Sequence, residues 1–197
     1  MKQQSLFLIM FFCLLGIPLA QAKEEKAIFA GGCFWCMEPP FEKLAGVLKV
    51  ASGYSGGHKI GPSYKEVSKG GTGHVEVVEI TFDPDKVSYK SLLATFWKNV
   101  DPLDSKGQFC DKGDQYLSGI YTLNDEQKAV AEKSLHELKA LAQFKNKSVA
   151  TFIKSAGPFY PAEEYHQDYY KKNPLRYKFY RASCARDKRL NALWENE

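Results

Sequence analysis

Ala27-Ile28-Phe29-Ala30-Gly31-Gly32-Cys33-Phe34-Trp35-Cys36-Met37-Glu38 is the run on which the chain turns. Its four leading apolar residues read as a short strand. Two glycines then let the backbone bend tightly. An amphipathic helix is expected beyond them, ending near Ala45-Gly46, with Phe41 and Leu44 on its buried side. At such a turn several backbone N–H groups lack partners, and together with the positive helix end they favour a thiolate, the reactive form of cysteine. Phe34 and Trp35 add an apolar wall beside the sulfur. Cys33 is therefore expected to be a reactive nucleophile rather than a small buried hydrophobe. Pro39-Pro40 would remove the helical bonds to the carbonyls of Trp35 and Cys36, so the helix should start late or bend.

Working outward, residues 47–54 read as a second strand, followed by a Gly- and Ser-rich loop over 55–63 and a short turn at Tyr64–Ser68. Residues 74–82 form a further strand stopped by Asp83-Pro84. Ser88 can cap a helix carrying Leu92, Leu93, Phe96 and Trp97. A polar loop over 101–115 holds Cys110, and 116–122 returns to strand. Asn124 caps the clearest helix, from Asp125 to about Ala142. Residues 148–155 read as strand, 162–172 as helix, and the tail from Asn173, with Cys184, as irregular. Strands and helices alternate, which predicts helices packed on a mixed β-sheet.

Within the 74–82 strand, His74, Glu76, Val78, Ile80 and Phe82 share one face, and Val75, Val77, Glu79 and Thr81 the other. Glu76 goes with the larger apolar set. A buried carboxyl has its pKa raised and can act as a general acid near neutral pH; the opposite assignment of faces leaves Glu76 in solvent. Tyr64, Tyr116 and Asp111 lie in or beside loops, where tyrosine hydroxyls can donate hydrogen bonds without charge and an aspartate before Lys112-Gly113 suits a turn.

The Cys33–Cys36 spacing admits rival readings. A thioredoxin-like dithiol shares it, but is seldom followed by a double proline. A zinc site could recruit Cys33, Cys36, Cys110 and His74, without two matched knuckles. The deaminase pattern of HxE followed by PCxxC occurs here only in reverse order and without the proline, so no metal is expected.

The formal net charge of +4 is spread among acids rather than gathered in a stripe, which argues against nucleic acid. Lys2, an apolar core from Leu6 to Leu15, the breakers Gly16 and Pro18, and Ala20-Gln21-Ala22 make residues 1–22 an export signal, too short to stay as a membrane span. Residues 23–197 are expected to be one soluble exported domain, periplasmic or secreted. It retains Cys33, Cys36, Cys110 and Cys184, enough for two structural bridges, although a domain of this size does not need them and redox use is as plausible.

Gly32-Cys33-Phe34-Trp35, Gly53-Tyr54-Ser55-Gly56-Gly57, Pro62-Ser63-Tyr64-Lys65-Glu66-Val67, Thr72-Gly73-His74-Val75-Glu76, Asp111-Lys112-Gly113-Asp114-Gln115-Tyr116, Pro158-Phe159-Tyr160 and Glu164-Tyr165-His166-Gln167 together resemble the peptide methionine sulfoxide reductase A family over most of 27–174. The resemblance implies an α+β fold with a ferredoxin-like two-layer core. It implies reduction of the S epimer of methionine sulfoxide, free or in proteins, with Cys33 attacking the sulfoxide sulfur. Glu76 would protonate the oxygen, Tyr64 and Tyr116 would hydrogen-bond to it, Phe34 and Trp35 would hold the methyl group, and Asp111 would help arrange the pocket. Cys33 would become a sulfenic acid and then a disulfide with a second thiol. No bound cofactor is implied; an external dithiol, thioredoxin or a thioredoxin-like exported protein, would recycle a monomeric enzyme. Many family members carry the resolving cysteine in a glycine-rich tail, whereas this tail has little glycine. Cys184 is the expected resolving thiol, with Cys36 as the alternative and Cys110 placed near the pocket by its neighbour Asp111.

Overall fold

The protein is described here by a computed structural model covering residues 23–194. The export signal assigned to residues 1–22 lies outside the described residues. In chain order the elements are β1 (Glu25–Gly31), α1 (Phe34–Glu42), β2 (Val47–Ser55), α2 (Tyr64–Ser68), β3 (Val75–Phe82), α3 (Tyr89–Lys98), β4 (Gly107–Gln108), β5 (Asp111–Lys112), a 3-10 turn (Asp114–Tyr116) and β6 (Ser118–Thr122). They continue with α4 (Asp125–Ala140), β7 (Phe152–Ser155), β8 (Tyr160–Pro161), a second 3-10 turn (Glu164–His166), α5 (Tyr169–Lys172), α6 (Pro174–Ser183) and α7 (Arg186–Trp194).

Six strands form one sheet in the order β7-β6-β1-β3-β2-β8. The central four, β6-β1-β3-β2, are antiparallel neighbours, with α1 carrying the chain from β1 to β2 and α3 following β3. This is the ferredoxin-like arrangement of two interlocked strand–helix–strand units. The added pair β6–β7 is parallel, so the sheet is mixed.

Both faces of β1 are covered, which explains its unbroken apolar run. Phe29 enters the main core, with ring centroids 5.4 Å from Phe41 and 5.2 Å from Phe96, alongside Leu92, Val78, Ile80 and Phe82. Ile28 and Ala30 face a smaller cluster with Val75, Val77 and Tyr121. The β3 faces are thereby settled: Glu76 shares its side with the main core and is buried.

Several local expectations are corrected. Helix α1 begins directly at Phe34, keeps both prolines inside, closes its first turn with Cys36 N–H donating to the Cys33 carbonyl at 3.0 Å, and ends at Glu42. The loop over 101–115 contains a small β4–β5 hairpin, and Tyr116 ends a 3-10 turn before β6 begins. The strand expected over 148–155 spans only Phe152–Ser155. The helix expected over 162–172 is split by the left-handed backbone of Asp168 (φ 54°) into a 3-10 turn and the single turn α5.

The tail is not irregular. Pro174 sits in the first turn of α6, where its missing N–H costs no helical bond. In α7, Arg186, Leu190 and Leu193 recur at helical spacing and are buried. The Arg186 guanidinium donates to the carbonyls of Gly31 (3.1 Å) and Asn99 (2.6 Å) and lies over the Phe109 ring, and Arg189 pairs with Asp101 at 2.7 Å. No helix among the described residues is long and apolar enough to cross a membrane.

Phe29→Ala is expected to destabilise the fold by about 3–5 kcal/mol, because it removes the ring shared by α1 and α3. Leu123→Ala, at a residue 43% exposed, should stay within about 0.5 kcal/mol. Urea denaturation midpoints of the two variants against the parent check the contrast.

Candidate active site

The turn from β1 into α1 opens a cavity of about 70 Å³ lined by Cys33, Phe34, Trp35, Tyr64, Glu76, Asp111, Tyr116 and Tyr180. Every one of the pocket residues expected from sequence, apart from the second thiol, lies on this wall. They arrive from separate elements: Cys33–Trp35 at the start of α1, Tyr64 at the start of α2, Glu76 in β3, Asp111 in β5 and Tyr116 at the end of the first 3-10 turn. A larger groove of about 770 Å³, beside Lys49, Val50 and Lys171, has no thiol in its lining.

Glu76 sits against the N-terminus of α1, where the Phe34 N–H donates to its Oε2 at 3.0 Å. Burial pushes the carboxyl up to about 8, with the Phe34 hydrogen bond opposing the shift. At neutral pH the group therefore keeps its proton. The first free donor of α1 goes to Glu76, so helix-end stabilisation of Cys33 is weaker than the sequence suggests.

Cys33 and Cys36 are both buried free thiols that share a hydrogen bond. Burial pushes the Cys33 thiol well up. The Cys33 hydrogen bond, with help from Arg186 and Arg181, holds Cys36 down to about 6 against its own burial. Of the two thiols Cys36 is the more readily ionised, because the neighbouring Cys33 thiol and the two arginines favour its charged form.

The phenols remain neutral donors. Burial raises Tyr64 to about 12 and also raises Tyr116. Glu163 fixes the start of α2 by accepting from the Tyr64 N–H at 2.8 Å, while its other oxygen accepts from the Tyr54 hydroxyl at 3.0 Å. Trp35 lies flat on Tyr169, with ring centroids 3.6 Å apart, and its indole N–H donates to His166 Nδ1 at 3.0 Å. His166 also contacts the rings of Phe34 and Tyr64. Burial lowers its pKa, which keeps this acceptor neutral.

Cys184 does not lie at the Cys33 thiol here. It is bonded to Cys110, with Cα atoms 4.8 Å apart. His74 is turned away from the cysteines, its Nδ1 accepting from Gly57 N–H and its Nε2 facing the Lys59 carbonyl, so the zinc grouping considered from sequence is not assembled. Glu163, His166, Tyr169, Tyr180 and Arg186 were missed as site residues. Of these only Arg186 left a periodic signal, as the first of the three buried positions of α7.

The peptide methionine sulfoxide reductase family model matches residues 25–197. The chain belongs to the peptide methionine sulfoxide reductase family. It is 52% identical over 172 residues to peptide methionine sulfoxide reductase MsrA of Bacillus licheniformis, covering 87% of this chain and 94% of the relative. It is 49% identical to MsrA of Limosilactobacillus reuteri, with 87% and 98% covered. Among solved structures, the reduced form of Mxr1 from Saccharomyces cerevisiae aligns with a TM-score of 0.72 at 34% identity, over 78% of this chain and 87% of that one. Methionine sulfoxide reductase A of Corynebacterium diphtheriae aligns with a TM-score of 0.69 at 32% identity, over 83% and 81%. The chain is therefore a peptide methionine sulfoxide reductase, an oxidoreductase acting on methionine sulfoxide.

If reaction needs the neutral Glu76, the rate of a single turnover should fall as pH rises through about 8, because the acid form is then lost. Glu76→Gln should lower that rate by about 10²–10⁴-fold and abolish the alkaline limb. Quenched-flow measurement of methionine formed between pH 6 and 10 checks both.

Proposed function

We propose that the chain reduces the S epimer of methionine sulfoxide, free or in oxidised proteins, by direct attack of Cys33 on the sulfoxide sulfur. The observation that carries this reading is a thiol and a neutral buried carboxyl on one small cavity wall, with Cys33 the one thiol in its lining. Sulfoxide oxygen leaves poorly unless protonated, and Glu76 supplies the proton. Tyr64 and Tyr116 donate hydrogen bonds to that oxygen, Phe34 and Trp35 hold the methyl group, and Asp111 helps arrange the pocket.

The proton balance follows from the paired thiols. Cys33 passes its proton to the Cys36 thiolate as it attacks. The oxygen, protonated by Glu76, moves to Cys33 as a sulfenic acid, and methionine departs. Two electrons have passed from the Cys33 sulfur to the substrate. Cys36 then attacks the sulfenic acid, its proton leaves with the hydroxyl as water, and a Cys33–Cys36 disulfide remains. Glu76 regains its proton from solvent. We assign the resolving role to Cys36 rather than Cys184; the hydrogen bond between Cys33 and Cys36, and the engagement of Cys184 with Cys110, support this choice.

No bound cofactor or metal enters these steps. A thioredoxin-like dithiol regenerates the pair by exchange; Mxr1, the yeast relative, has also been solved in complex with Trx2. The domain of residues 23–197 works as an exported monomer, periplasmic or secreted, after removal of residues 1–22. Cell fractionation with N-terminal sequencing should find it outside the cytoplasm and beginning at Lys23.

Separated S- and R-methionine sulfoxide, dithiothreitol and the Cys33→Ser variant test the reaction. Turnover of the S epimer alone, lost in the variant, is expected; turnover of both epimers, or activity surviving in Cys33→Ser, would overturn the assignment. With thioredoxin as reductant, Cys36→Ser should release one methionine per enzyme and then stall, while Cys184→Ser continues to turn over. Peptide mass mapping after one turnover should locate the bridge at Cys33–Cys36.

A further inference from the structure

Helix α6, the last but one, lines the cavity with a residue that the sulfoxide chemistry above does not use. The Tyr180 hydroxyl donates to Asp111 Oδ2 at 2.5 Å and shares the wall of the small cavity with the Cys33 thiol. Its ring stands edge-on to Trp35, with centroids 5.7 Å apart at 79°. Tyr180 thus touches Trp35 and Asp111 and faces the same cavity as the Cys33 sulfur.

Its position is fixed from one side by a covalent bond. The Cys184 N–H donates to the Tyr180 carbonyl at 3.0 Å, one helical turn away. Cys184 is bonded to Cys110, the neighbour in sequence of Asp111. Both hydrogen-bond partners, Tyr180 and Asp111, therefore hang from opposite ends of one disulfide. Further anchors of the segment include the Arg181–Asp187 ion pair, the Tyr170–Tyr177 ring contact and the buried Arg186.

We propose that Tyr180 is a catalytic residue of this reductase, donating a hydrogen bond to the Cys33 sulfur as its charge develops, and that the Cys110–Cys184 bridge is a clamp that holds it there rather than a partner in the redox cycle. This deepens the reading of Cys33 as nucleophile and rests on it. A phenol has one proton to donate and lone pairs to accept with. When Cys33 is a thiol, that proton goes to Asp111. When Cys33 becomes a thiolate, the O–H turns to sulfur, and a protonated Asp111 can donate to the phenol oxygen. Burial favours that neutral form of Asp111. No bond to Tyr180 is made or broken, and it is not oxidised.

The test measures iodoacetamide alkylation of Cys33 against pH in a Cys36→Ser background, so that one catalytic thiol reports, together with single-turnover methionine formation in the protein with both thiols. Tyr180→Phe keeps the ring and removes only the hydroxyl. A hydrogen bond to a charged group predicts a fall of about tenfold in single-turnover rate. The alkylation midpoint should rise by about one pH unit, the same factor of ten. Thermal melting of the variant should match the parent. An unmoved alkylation midpoint in the folded variant would overturn the role, even if the rate falls, because loss of packing alone would explain such a fall. The double variant Cys110→Ser/Cys184→Ser should move both quantities in the same direction by about threefold. If it leaves both unchanged, or stops multiple turnover while sparing the first, the clamp is overturned. Should the protein prove inactive on sulfoxides, the alkylation midpoint still decides whether Tyr180 serves Cys33.

Discussion

One side-chain hydrogen bond, from the Phe34 N–H to the Glu76 carboxyl, ties the start of α1 to β3 at the candidate site. It requires α1 to start immediately after the Gly31-Gly32 turn, and β3 to lie beside β1 in the register that puts Glu76 under the helix end. A one-residue slip of β3 would replace Glu76 by an apolar neighbour and turn the carboxyl to the opposite face. The apolar residues that fix this register, Val78, Ile80 and Phe82, are core residues. Packing of the core and placement of the acid are thus one constraint. The carboxyl stays neutral because that same packing strips it of water.

Where charge resides in the site follows from the same economy of donors. An isolated buried thiol resists ionisation. Here two lie one turn apart, and the cations Arg181 and Arg186 act on Cys36. The opposite shifts of the two thiols make Cys36 the easier to ionise and Cys33 the harder.

Local chemistry was legible in the sequence; long-range closure was not. The glycine turn, the apolar wall of Phe34 and Trp35 and the strand alternation around Glu76 are neighbours in sequence as well as in space, so periodicity and composition carried them. The Asn124 cap was likewise readable, with its side chain accepting from the Gln127 N–H at 2.8 Å. Helix α6 was missed because none of its residues is buried, leaving no apolar stripe to see. The split of residues 162–172 depends on the left-handed Asp168, whose N–H donates to Glu38 across the fold. Cys184 was expected to swing freely because its tail looked unstructured; ordered helices and the Cys110 bond give it a different neighbour. His166 lay within a motif of the family resemblance, but its role was not readable there, since it accepts from an indole 131 positions away in the chain.

Arg186 reaches Gly31 across a separation of 155 residues. Synthesis proceeds from the N-terminus, so the strand, the thiol pair and the acid all exist before the cation and helix that complete their surroundings. A nascent chain lacks both arginines that lower Cys36 and the Tyr180 ring that lines the cavity, and a chain broken off just before Arg186 acquires only the first of those arginines. The surroundings of the thiol pair are thus completed only by the last stretch of the described polypeptide.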